Sequence, residues 1–355
     1  MVNPLKASPV PDNTAIQTQR ITIAIDAMGG DQAPKEIVAG AVAAARALPA
    51  IDLLLVGDEQ RITPLLGPGG RPANLTVRHA SQVVEMSDSP GVAVRQKPDS
   101  SIAVGMKLVR DGKAQAIISA GNSGAVMAAA VLILKAQRGI DRPAIATLLP
   151  TRRGQTVLLD SGATTDCKPA HLAQFARLGS TYASTVLDLP NPSVGLLSIG
   201  EEATKGDELT KETHKLLLTS GLNFVGNVEP KEVTRGEVDV AVCDGFVGNL
   251  VLKSGEGFGE LVLGLIKDEI RKGWVYKLGA KLMESVLRHV ASRFDATEIG
   301  GAPLLGVNGV VVICHGRSNS LAIANAIRVA VRATQRRYAD TPMSLAPNPA
   351  APIPS

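Results

Sequence analysis

The chain has 355 residues, 45% hydrophobic but only 3% aromatic, so its core is expected to be built from Val, Ile, Leu and Ala, the residues that fill sheets buried on both faces. The 37 basic and 33 acidic residues leave a net charge of +4, too even a balance to argue for nucleic-acid binding. Cys167, Cys243 and Cys314 fit neither a zinc spacing nor a disulfide framework, no apolar run is long enough to span a bilayer, and residues 1–19 hold no signal-peptide core, which together point to the cytoplasm.

Residues 1–19 and 340–355 read as disordered tails around one catalytic unit, 20–339. In chain order, strand Ile21–Asp26 precedes a helix over Lys35–Leu48, and strand Asp52–Val56 follows. A helix over Ser101–Asp111 leads to strand Ala116–Ser119 and a helix over Ser123–Arg138. Strands Ile145–Leu149 and Thr156–Asp160 come before helix Pro169–Val186, and strand Val194–Ile199 before helix Lys205–Thr219. Strands Val238–Asp244 and Val310–Cys314 and a final helix, Leu321–Arg337, complete the series. Strands alternating with helices predict βαβ units and a three-layer α/β/α fold with a mostly parallel sheet. Ligands of such sheets bind outside the carboxyl ends of the strands.

Six strand-end loops carry the chemistry, and they are expected to share one edge of the sheet. The first offers Asp26, Gly29, Gly30 and Asp31 before Pro34; with neither GxGxxG nor GxxxxGK[ST] present, no dinucleotide site or P-loop is implied. The loop Gly121-Asn122-Ser123-Gly124 presents amides, a hydroxyl and a carboxamide at a helix start, an arrangement suited to an anion; a plain capped turn is the bland alternative. Asp160 and Lys168 flank Asp166 and Cys167, so that Lys168 can neutralise a phosphate while Asp160 orients a nucleophile or holds Lys168; Cys167 has no evident base and reads as inert. Gly200 and Lys205 follow another strand, Asp244, Gly245 and Asn249 a fifth, and His315 the last, as an acid/base or phosphate-binding candidate. Lys168, Asp160, His315 and Asn122 are the candidate catalytic residues, and the others are candidate substrate ligands.

Residues 255–295 break the alternation. Phe258, Val262, Leu265, Ile266 and Ile270 make one amphipathic stripe, and Leu278, Leu282, Val286, Val290 and Phe294 a second. A protruding helical hairpin is predicted, its bend holding Arg271, Lys272, Trp274, Tyr276 and Lys277. Seven Lys/Arg against three Asp/Glu between Lys267 and Arg293 suit an anionic membrane surface or an acidic protein partner. Ordinary packing between two copies of the chain is the competing reading.

The segments IDAMGGDQAPKEIVAGAV, SAGNSGAVMAAA, LLDSGATTDCKPAHLAQFA, SIGEEATKGDELTKET, FVGNVE, VAVCDGFVGNLVLKS and HGRSNSLAIANAIR, spread over about residues 20–335, resemble the bacterial phosphate acyltransferases of phospholipid synthesis. The resemblance implies reversible transfer of a long-chain fatty acyl group from acyl carrier protein to inorganic phosphate. The acyl phosphate so formed would serve phosphatidic acid synthesis through a membrane glycerol-3-phosphate acyltransferase. It further implies a homodimer, a fold like those of isopropylmalate dehydrogenase and phosphotransacetylase, and no cofactor or metal. Ser161-Gly162-Ala163-Thr164 departs from the family's usual Val-Gly-Ala-Asn, and Ser123 replaces a usual Thr. A phosphotransacetylase using short acyl-CoA and a non-catalytic ligand sensor are the alternatives, separable by testing acyl donors.

Overall fold

The computed structural model describes residues 20–67, 69–293, 300–336 and 338–341. The expected tail over 1–19, most of the tail over 340–355, and Phe294 at the end of the second hairpin stripe lie outside them. Eleven strands form one sheet in the order β3-β2-β1-β4-β11-β10-β5-β6-β9-β7-β8. They are β1 (Thr22–Asp26), β2 (Asp52–Gly57), β3 (Leu75–His79), β4 (Ala116–Ser119), β5 (Ala144–Thr151), β6 (Gly154–Leu159), β7 (Val194–Leu197), β8 (Phe224–Val228), β9 (Val240–Val242), β10 (Ala302–Leu305) and β11 (Val310–Ile313). Three of them are absent from the sequence expectation. β3 and β8 lie at the sheet margins, with three of five residues exposed in β3 and Val225 alone exposed in β8, and β10 contains Pro303, which weakens any strand signal.

Strand alternation sorts the core into layers. In β1 and β11, Ile23, Ile25, Val310 and Val312 face helices α1 (Lys35–Ala47) and α12 (Ser320–Gln335), whereas Ala24, Val311 and Ile313 face α4 (Ser101–Arg110) and α5 (Ser123–Ala129). On the other half, Val157, Leu159, Val240 and Val242 pack on α6 (Pro169–Thr185) through Leu172, Phe175 and Leu178. Leu158 and Ala241 face the opposite way, toward α8 (Pro230–Arg235) and the start of α9 (Gly245–Arg271). The expected three-layer arrangement is therefore present.

The strand directions correct one expectation. β3, β2, β1, β4 and β11 are mutually parallel, but β11–β10, β10–β5 and β5–β6 are antiparallel pairs. Three successive reversals leave β6, β9, β7 and β8 pointing opposite to β1, β4 and β11. The six loops thus leave the sheet as two groups of three from opposite edges. Period-2 patterning reports which face a residue occupies, not which way its strand runs, so the sequence held no sign of this.

Two helix boundaries also move. The helix expected over Ser123–Arg138 stays α-helical only to Ala129, widens to a π-turn over Ala130–Leu134, and ends at Lys135 with φ +70°. Asn308 Nδ2 collects the carbonyls of Leu134, Lys135 and Ala136 at 3.0–3.3 Å, satisfying that early end. Helix α7 (Glu208–Leu218) starts three residues after Lys205, because Asp207 accepts the Thr210 N–H at 2.8 Å and fixes the N-cap. The protruding segment is longer than predicted. Its first arm is the whole of α9, and its return is split into α10 (Trp274–Leu282) and α11 (Glu284–Arg293).

Candidate active site

Asp26 ends β1 fully buried. Its Oδ2 accepts the Ser119 hydroxyl at 2.6 Å and its Oδ1 the Met28 N–H at 3.1 Å. Burial pushes this carboxyl above its ordinary range, opposed by hydrogen bonds from Ser101, Ser119, Met28 and Gly29. Ser119 in turn accepts the Gly121 N–H at 3.1 Å, so one carboxylate locks the loops after β1 and β4 together. The fit excludes a side chain at Gly29, whose Cβ would stand 2.4 Å from Asp26 Oδ2 and 2.6 Å from Gly121 N. Asp26 is thereby occupied in framing the site, and its partner Ser119 was not singled out from the sequence. The two lie 93 residues apart, beyond any spacing rule.

Asn122 caps α5 by accepting the Ala125 N–H at 3.1 Å. Its amide donates to Met86 O at 3.0 Å and Asp88 O at 3.2 Å, so both ends of the carboxamide are engaged in holding the 86–88 loop. Ser123 and Gly124 follow as the first helical residues. The third loop joins this group through the Asp31 N–H, which donates to Gly316 O at 2.8 Å. His315 Nδ1 accepts the Arg317 N–H at 3.2 Å, leaving the ring proton of a neutral imidazole on Nε2. Partial burial, then the Lys253 and Arg317 charges, hold the His315 pKa below its ordinary value, against the opposing Glu256 and Asp31.

The second group centres on Asp160. Its Oδ1 accepts N–H bonds from Ile145 at 2.9 Å, Gly162 at 3.2 Å and Ala163 at 3.0 Å, and its Oδ2 from Ala163 at 3.0 Å and Thr164 at 2.6 Å. Burial still leaves its pKa raised. Helix α9 rests directly on this turn. The Gly245 N–H donates to Thr164 O at 2.8 Å, and a Cβ at Gly248 would fall 1.9 Å from Asp160 O. Asp244 caps α9 by accepting from Phe246 and Val247 at 2.9 and 3.0 Å, and the exposed Asn249 lies over Gly162. Thr164 directs its hydroxyl to Pro143 O at 3.4 Å, so what it gives the turn is mainly backbone. Cys167 is pushed up to about 12 by burial and by the Asp160 and Asp244 charges, so it stays a thiol.

Lys168 and Lys205 are exposed and make no ion pair among the described residues. Lys168 stands at the N-cap of α6, where its own N–H donates to His171 Nδ1 at 3.2 Å. Lys205 lies in the loop after β7, its side chain against Gly200 and its N–H on Glu202 O at 2.9 Å. No group of three or more metal-ligating side chains occurs among the described residues.

Helix α9 connects the two groups. Its first turn sits on the Asp160 turn, while Lys253 and Glu256, roughly 12–17 Å farther along at 1.5 Å per residue, act electrostatically on His315. Ala163 also packs against the core of the first half. A cavity of about 980 Å3 lies elsewhere, between the end of α1, the β5–β6 turn and the last turns of α12, and none of the expected site residues lines it.

The family model described as "Fatty acid synthesis protein" matches residues 21–341. The phosphate acyltransferase of Pelotomaculum thermopropionicum is 52% identical over 315 residues, 89% of this chain and 92% of that protein. That of Syntrophotalea carbinolica is 50% identical over 91% of this chain and 93% of its own length. Among solved structures, a phosphotransacetylase from Streptococcus pyogenes superposes with a TM-score of 0.60 at 16% identity, covering 89% of this chain and 94% of that one, a likeness of fold. The chain therefore belongs to the fatty acid synthesis protein family, alongside these phosphate acyltransferases.

Proposed function

We propose that the protein transfers a long-chain acyl group from acyl carrier protein to inorganic phosphate, releasing an acyl phosphate. The observation that carries this reading is relatedness to phosphate acyltransferases at about half identity over 89–91% of the chain, with the family model spanning residues 21–341 and so all six strand-end loops. The chemistry needs few groups. Phosphate is already an oxyanion at neutral pH; its oxygen attacks the thioester carbonyl carbon, a C–O bond forms, the C–S bond breaks, and the thiolate takes a proton from solvent. The protein must hold the anion and stabilise the tetrahedral oxyanion. Lys168 and Lys205, free of ion pairs among the described residues, supply positive charge, with backbone N–H groups at Gly30 and at the start of α5 around Gly124. A neutral His315 with its proton on Nε2 suits hydrogen bonding to the developing oxyanion.

The test is mass-spectrometric detection of acyl phosphate from palmitoyl-acyl carrier protein and phosphate. Acyl phosphate formed only from acetyl-CoA would replace this reading with that of a short-chain phosphotransacetylase. Within it, Lys168→Ala is expected to raise phosphate KM or lower kcat by about tenfold. Unchanged values would remove the lysine from the site.

The exposed apolar side chains of α9–α11 support a homodimer that touches an anionic membrane. Phe258 is 67% exposed, Trp274 77% and Leu282 80%, and no residue of α10 is buried. Arg271 and Lys272 pair with Asp268 and Glu269 on their own helix, whereas Lys277 makes no ion pair among the described residues. No helix among the described residues is long and apolar enough to cross a membrane, so the contact is peripheral. In this reading a cytoplasmic enzyme delivers its acyl phosphate to a glycerol-3-phosphate acyltransferase in the same membrane.

A further inference from the structure

We infer that Asn227, on β8, is a positioning residue that clamps the loop carrying Gly200 and Lys205. The inference rests on the reading of that loop as substrate-binding. Asn227 is buried between α7 and the loop, 5% exposed. Its Nδ2 donates to Glu202 O at 2.9 Å, and its Oδ1 lies 2.9 Å from Nδ1 of His214, a buried residue of α7. His214 is itself fixed edge-on to Phe224, with ring centroids 5.2 Å apart.

The donor assignments follow from the partners. An amide that gives an N–H to a carbonyl presents its oxygen on the other side, so His214 carries its proton on Nδ1 and donates it. The reversed amide would set two oxygens against each other at Glu202. The Glu202 carbonyl also accepts the Lys205 N–H at 2.9 Å. A single acceptor thus joins the buried His214–Asn227 pair to the backbone of the lysine.

The loop's other fastenings are slighter. Residues 201–205 are exposed, and the Lys231–Glu201 ion pair spans 3.8 Å between exposed side chains, an arrangement that contributes little. The Ser198 hydroxyl beneath the loop is buried without a partner among the described residues. A buried Asn–His pair serving packing alone would end in the core. This one ends on an exposed loop that carries an unpaired cation.

Asn227→Asp keeps the volume and the acceptor for His214 but removes the Nδ2 donor; Asn227→Ser, which loses the amide without adding charge, is carried beside it. Each is expected to speed hydrogen exchange at amides 200–206 by about tenfold or more, with exchange in α6 unchanged. Phosphate KM should rise about tenfold while kcat stays within about threefold. In a Lys205→Ala background the same substitutions should raise KM by less than about twofold, because the clamp then has nothing to position. Unchanged exchange at 200–206, or an equal KM effect in both backgrounds, overturns the clamp. If Lys205→Ala alone leaves KM unchanged, the substrate reading of the loop falls, and the exchange measurement decides the clamp separately.

Discussion

Asp26 and Asp160 stand at equivalent places in the two halves of the sheet, each a buried carboxylate that gathers the N–H groups of the turn after its strand. Their first task is structural, since a buried donor left unpaired costs about 1–3 kcal/mol. His315 has the environment of a chemical group, and its titration is the check at this scale. Its folded pKa lies below the ordinary 6.5, so the ring is neutral at pH 7 and takes up its proton only as the pH falls further. Followed by NMR, the midpoint should rise in Lys253→Met, which removes a repelling cation, and fall further in Glu256→Gln, which removes an attracting anion. Shifts of the opposite sign would detach α9 from this histidine.

At the scale of elements, α9 is the part on which the site depends. The sequence marks its start, Cys243-Asp244-Gly245-Phe246-Val247-Gly248, as a ligand loop, and the glycines prove to be the surface on which the helix sits. Gly248→Ala would drive a methyl group into Asp160 O, so the helix must lift from the turn. The expected result is a fall in kcat/KM of about a hundredfold or more. Thermal unfolding should show a loss of roughly 1–3 kcal/mol, as for an overpacked core. Gly264→Ala, on the same helix with open space around the added carbon, should leave both nearly unchanged and serves as the control.

The whole molecule leaves a long apolar face uncovered along α9, with Phe258, Leu261, Val262 and Leu265 each more than half exposed. Sedimentation is expected at twice the chain mass of 36.9 kDa, and Phe258→Asp with Leu265→Asp should return the protein to a monomer. The bend is tested apart from that face. Trp274→Ala with Lys277→Glu should reduce flotation with anionic liposomes several-fold while leaving the sedimentation of the dimer unchanged. Flotation equal to that of the unaltered protein would remove the membrane from the account.

The sequence by itself determined the class of fold, eight of the eleven strands and the residue types available at each loop. Period-2 strands, amphipathic helices and Gly/Asp-rich turns are local patterns, and a local pattern is what a sequence displays. The Ser119–Asp26 bond, the direction reversal through β10 and β5, and the seat of α9 on Asp160 were decided by tertiary structure. They depend on which distant segments pair, and neither spacing nor residue type encodes that. The same holds for Asn227 and His214, ordinary polar residues along the chain, which only the packing of β8 against α7 joins beneath the Lys205 loop.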